Sequence, residues 1–85
     1  MPDATPRPSF GGGTYAVLAL FFLVVGVRDL TGEPPDSAAA TWELMFAAAN
    51  ALLFWVFRGG PAWSRTLGYA LFFGAVAAAL ADFFL

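Results

Sequence analysis

Cysteine, histidine and lysine are all missing from this chain. Without cysteine there is neither a disulfide nor a thiolate metal site, and the redox compartment leaves no mark on the sequence. Without histidine the commonest ligand of haem, chlorophyll-type pigments and zinc is gone. No cofactor or metal is therefore expected to be held by the chain's own ligands, which leaves contact with lipid, or with a pigment brought by a partner. Charge is scarce too: Asp, Glu, Lys and Arg together make up 12% of residues, where soluble domains carry about a quarter. The basic residues are only Arg7, Arg28, Arg58 and Arg65, too few and too scattered for a nucleic-acid footprint. A net charge of -2 selects no charged partner. There is no phosphate-cradling glycine loop, no nucleophile-base-acid set and no metal-ligand spacing, so the chain is not expected to be an enzyme.

What the chain has in abundance is apolar surface, with 60% hydrophobic and 18% aromatic residues in a length of 85. A soluble domain of that size would lack the polar side chains to cover itself. The central run, residues 38–57 (AAATWELMFAAANALLFWVF), holds Glu43 and Asn50 as its strongly polar side chains. As a helix it would be about 30 Å long, the thickness of a bilayer's hydrocarbon core. Helices and closed barrels are the structures that satisfy their backbone in lipid, and a barrel needs many short alternating segments. Continuous apolar runs favour helices. The expected fold is an all-α membrane protein of three transmembrane helices, at about residues 14–30, 38–57 and 62–85, the last two forming an antiparallel hairpin.

Ahead of the first span, MPDATPRPSFGGG is rich in proline and glycine, and residues 1–13 are expected to be a flexible tail. Were it to dock on a partner, Phe10 would be the anchor. The first span is short enough to compare with a signal peptide, but one Arg precedes it and no small-x-small cleavage site follows, so a retained helix is expected. The loop LTGEPPDS combines a helix-ending Gly32 with Pro34 and Pro35, and Asp36 or Ser37 can cap the next helix. The second loop, RGGPAWSR, turns at Gly59 and Gly60, with Pro61 at the start of the third helix.

Small residues recur at four-residue intervals along the third span, as Thr66, Ala70, Gly74, Ala78 and Asp82. A partly matching row, Glu43, Ala47 and Ala51, runs down the second. In lipid, small residues let helix backbones approach closely, so these two rows are expected to face each other. Thr14, Thr41 and Thr66 are expected to cap helix ends. The pairs Phe21/Phe22, Phe72/Phe73 and Phe83/Phe84 must each send at least one ring outward, because adjacent residues diverge around a helix.

With three spans, Arg7, Arg58 and Arg65 fall on one side of the membrane and Arg28 on the other. The excess of positive charge places the amino terminus and the second loop inside and the carboxyl terminus outside. The aromatic residues agree, with Tyr15, Trp55 and Trp63 at the inner interface and Trp42 at the outer one. The expected location is the inner or cytoplasmic membrane of a bacterium or archaeon. Arg28, Asp29, Glu43 and Asp82 then gather toward the outer face. Glu43, about 9 Å into its helix, sits where an ionisable group is expensive. Either Arg28 neutralises it in a structural ion pair, with Asp82 a competing partner for Arg28, or Glu43 is a proton or cation site exposed to the outer side, or the helix register lets Glu43 reach the headgroups. Asn50, seven residues on and on roughly the same face, is expected to hydrogen-bond between helices, within the chain or to a neighbour.

In span count the chain is similar to half-size sugar transporters, but its first span has no proline and so lacks their Pro-Gln pair. Asn50 stands at the depth where proteolipid rotor subunits carry an acid, and no family is assigned. The functional expectation is a small non-catalytic subunit, structural or accessory, packed within or on a larger membrane complex such as an energy-transducing assembly. Its partners would be membrane lipids and other integral-membrane subunits or copies of itself, and no nucleic acid. The alternative is a homo-oligomeric transporter or channel with Glu43 and Asn50 lining a pathway.

Overall fold

The computed structural model describes residues 10–85, with side chains from residue 12 onward, as three helices: α1 Phe10–Thr31, α2 Ser37–Phe57 and α3 Ala62–Phe84. Each is long and apolar enough to cross a membrane. The chain is therefore an all-α protein of the integral-membrane type. The boundaries follow from the turn chemistry. At the start of α2, the Asp36 carboxylate accepts the Ala39 N–H at 3.1 Å, satisfying one of the donors a helix start leaves open. The Asp36 N–H in turn donates to the Asp29 carbonyl at 2.8 Å, which ties the loop back to the last turn of α1.

The α2–α3 hairpin closes on a Schellman motif. Gly59 adopts φ +90°, its N–H donates to Val56 O at 3.0 Å, and the Gly60 N–H reaches Trp55 O at 2.8 Å. These bonds satisfy carbonyls that the end of α2 would otherwise leave bare. Gly60 is required by space: a Cβ there would lie 2.8 Å from Trp55 O and from two atoms of its indole ring.

The helix α1 begins earlier than the sequence implies, taking in residues 10–13 of the expected tail. The absence of a side chain at Gly12 permits contact with α2, and that packing offsets the entropy of ordering glycines. Gly12 is buried, with its Cβ direction 3.8 Å from the Phe57 Cβ, and Tyr15 meets the Phe57 ring at 5.4 Å between centroids. The proposed Phe10 anchor and Arg7 of the orientation argument lie outside the described side chains.

The three helices do not form a closed triangle. Both α1 and α3 pack on α2, and no Cα of α1 comes within 8 Å of one in α3. Consequently 33% of the α2 span is buried in protein, against 6% for α1 and 11% for α3. Glycines set the close approaches on both sides. A Cβ on Gly26 of α1 would lie 2.7 Å from Leu44 Cγ, and one on Gly68 of α3 would lie 3.1 Å from Leu53 Cγ. A row of rings crosses α2 from flank to flank: Phe22 stacks on Phe46 at 5.1 Å and Phe46 meets Phe72 edge-on at 5.2 Å. Of the phenylalanine pairs, Phe22 and Phe72 turn inward while Phe21, Phe73, Phe83 and Phe84 are exposed, as adjacent positions on a helix require.

The two small-residue rows do not meet as expected. Ala47 and Ala51 line an apolar groove with Ala19, Leu20 and Leu23 of α1, so that row faces α1 and not α3. On α3 the buried positions are Ser64, Gly68 and Ala75, while Thr66 and Ala70 are exposed and Gly74 and Ala78 half-buried. The reason is geometric: a strict four-residue spacing advances roughly 40° per step around a helix. Over Thr66 to Asp82 that drift reaches about 160°, so one neighbour cannot cover the whole row. The threonines do not cap either. Thr41 donates to Ser37 O at 2.7 Å within α2, Thr14 lies inside α1, and α3 is preceded by Pro61 at its N-cap, with no side-chain cap.

Candidate functional site: a carboxyl cluster at one end of the helices

Topology places the α1–α2 loop and the end of α3 at the same end of the molecule. The acidic residues Asp29, Glu33, Asp36, Glu43 and Asp82 all fall there, while Arg58 and Arg65 lie at the opposite, hairpin end. Among the described residues the segregation of acids is complete, and Arg28 is the one base at the acidic end.

Glu43 is at the centre. It is 6% exposed, and its Oε1 is buried without a hydrogen-bond partner. The ionisable groups that act on it are Asp29 at the end of α1, which also shares a side-chain hydrogen bond with it, and then Asp36 and Asp82. Glu43 thus faces acids from α1, from the loop and from α3. The expected ion pair with Arg28 is not formed: Arg28 is exposed, and the charged groups that act on Glu43 are all carboxyls. Neighbouring positions on a helix diverge by roughly 100°, so once Asp29 turns toward α2, Arg28 must turn away. It ends instead in the last turn of α1, where its charge complements the helix dipole. Asp82 is not the partner of Arg28 either; its Oδ2 accepts the Trp42 indole N–H at 3.1 Å. That bond joins α2 to α3 beside a groove of about 440 Å³ walled by Ala38, Thr41, Ala78 and Asp82.

Asn50 is 1% exposed. Its amide nitrogen donates to Phe46 O at 2.7 Å, one turn back in its own helix, so the expected bond between helices is absent from the described chain. The other half of the amide, Oδ1, is buried with no partner. Helix geometry aligns Asp36, Glu43 and Asn50, spaced by seven, within roughly 20° per step. Glu43 and Asn50 therefore share one face of α2, in line with the capping Asp36 just ahead of the helix. Asp36 was visible only as a capping residue; its seven-residue offset from Glu43 was the signal that it belongs to this line. The Trp42–Asp82 bond has no counterpart in sequence spacing, because it depends on how α3 packs.

No group of three or more acidic residues among those described is arranged to hold a metal ion. In comparisons with known proteins the chain matches no family model, no curated protein and no solved structure.

Proposed function

We propose that this chain is a small non-catalytic integral-membrane subunit, structural or accessory, that packs within or on a larger membrane complex such as an energy-transducing assembly. The observation that carries this reading is the open arrangement of the helices. With α1 and α3 meeting only α2, large side chains such as Val17, Leu20, Val24 and Phe73 are turned outward, and neighbouring subunits or lipid can cover them. A bundle of this form encloses no pathway by itself. Solubilised in mild detergent from its native membrane, the protein should migrate within an assembly several times its own 9.0 kDa. Migration as a free monomer under every mild condition overturns the reading.

In this proposal the hairpin end, with Arg58 and Arg65, faces the cytoplasm and the acidic end faces out, following the bias of positive charge. Cysteines placed at Glu33 and Ala62 of this cysteine-free chain should then react with an impermeant maleimide from opposite sides of closed vesicles, Glu33→Cys from outside. Labelling of both from one side would refute three spans.

A second reading is favoured by the two buried oxygens without partners, Glu43 Oε1 and Asn50 Oδ1. In a homo-oligomeric transporter or channel, copies of the polar line on α2 would supply those partners or bind the transported ion. Reconstituted protein would then show a flux that Glu43→Gln abolishes; equal flux in the variant counts against it.

A further inference from the structure

At the hairpin end, a groove of about 420 Å³ opens between α2 and α3, lined by Leu53, Val56, Phe57, Arg65 and Tyr69. This volume is within the range of roughly 300–1,000 Å³ usual for small-molecule sites. Its floor is Leu53, buried against Gly68, whose missing side chain lets the two helices close to that depth. The polar groups among its lining side chains are the Arg65 guanidinium and the Tyr69 hydroxyl. They stand at i and i+4, hence on one face of α3 and about 6 Å apart along it. Both residues are exposed, and among the described residues no carboxylate lies at this end of the molecule to neutralise Arg65. Arg58, in the adjoining turn, is directed elsewhere: its guanidinium lies over the Phe54 ring at 5.7 Å.

We infer that this groove binds an anionic phospholipid. The guanidinium fork matches two oxygens of a phosphate, and the Tyr69 hydroxyl can donate to a third acceptor on the same headgroup. Leu53, Val56 and Phe57 offer the apolar wall an acyl chain requires. The charge is complementary, and Arg65 lies within the first turn of α3, the depth at which headgroups sit. A lipid meets every one of these features together, whereas a free phosphate uses only the polar pair. The assignment is independent of the accessory role proposed above.

The test is spin-label electron paramagnetic resonance on the full chain in phosphatidylcholine bilayers, comparing labelled phosphatidylglycerol with labelled phosphatidylcholine in the motionally restricted shell. Phosphatidylglycerol should be preferred, and Arg65→Gln should reduce that preference about fivefold, the effect of one basic residue at a membrane surface. Arg65→Lys should retain a part of it, and Arg28→Gln, at the other end, should leave it unchanged. Because Arg65 is exposed, helicity by circular dichroism should match the parent in each variant. Equal association of the two lipids, or a preference that survives Arg65→Gln or disappears with Arg28→Gln, overturns the inference. Loss of the preference in inorganic phosphate at constant ionic strength would show a free-anion site and overturn the lipid assignment.

Discussion

Glu43 is a carboxyl buried among carboxyls, and that company determines what its replacement does. If it were half of a buried ion pair, removing either partner would cost about 3–5 kcal/mol. With Arg28 turned outward and only Asp29, Asp36 and Asp82 acting on it, no such pair exists to break. Arg28→Gln, at an exposed position, should leave unfolding in mixed micelles within about 0.5 kcal/mol of the parent, the usual range for a surface substitution, while Glu43→Gln, which removes a charge from among carboxyls, should not show the several-kcal/mol loss of a broken buried pair. A loss of several kcal/mol in both would restore the ion pair and contradict the geometry. The sequence announced Glu43 as the residue to watch, since its depth in the second span is read directly from helix rise. Its partners were not legible. Whether Arg28 or Asp29 turns toward α2 depends on the rotation of α1 about its axis, which is fixed by Gly26 seating on Leu44, and a helix apolar on nearly every side gives no periodic signal of its rotation.

At the scale of elements, boundaries were far more legible than faces. Pro34 and Pro35, Asp36, and Gly59 with Gly60 mark the ends of helices whatever the solvent, because they act through missing donors, capping oxygens and backbone freedom. They place α2 and the start of α3 to within a residue. The start of α1 extends past the expectation because glycine was weighed by its backbone entropy alone, whereas Gly12 packs against Phe57 of α2, a contact that sequence spacing does not announce. The hairpin makes a sharp prediction. Gly60→Ala brings a Cβ against the Trp55 carbonyl and ring at 2.8 Å, so the turn must open and its two Schellman bonds go with it. The expected cost is about 1–3 kcal/mol, as for overpacking elsewhere, together with loss of the edge-on Trp55–Trp63 contact, now 5.5 Å between centroids. Near-ultraviolet circular dichroism and denaturant titration would read both, and an unchanged tryptophan spectrum would show that the turn is not strained by a methyl group.

For the whole molecule, the decisive fact is that two helices share one partner and their backbones stay more than 8 Å apart, Cα to Cα. Packing defects on the two flanks should therefore not communicate. Gly26→Val presses on Leu44 and Gly68→Val on Leu53, each at an expected cost of about 1–3 kcal/mol. In the double variant the costs should add within about 0.5 kcal/mol, as they do for separated sites. A coupling well above that would mean that α1 and α3 sense each other through α2 or in direct contact.

The same arrangement fixes where the chain can tolerate change. A scan of every single substitution would find the middle third of the sequence intolerant along two strips, one facing each flank, with the exposed positions such as Thr41 and Ala48 free to vary. The outer thirds would be intolerant along only one narrow strip each, free to vary wherever a side chain looks into oil. Drift among descendants of this sequence should thus erase its two ends first and leave the stretch around Glu43 and Asn50 as the last part still recognisable.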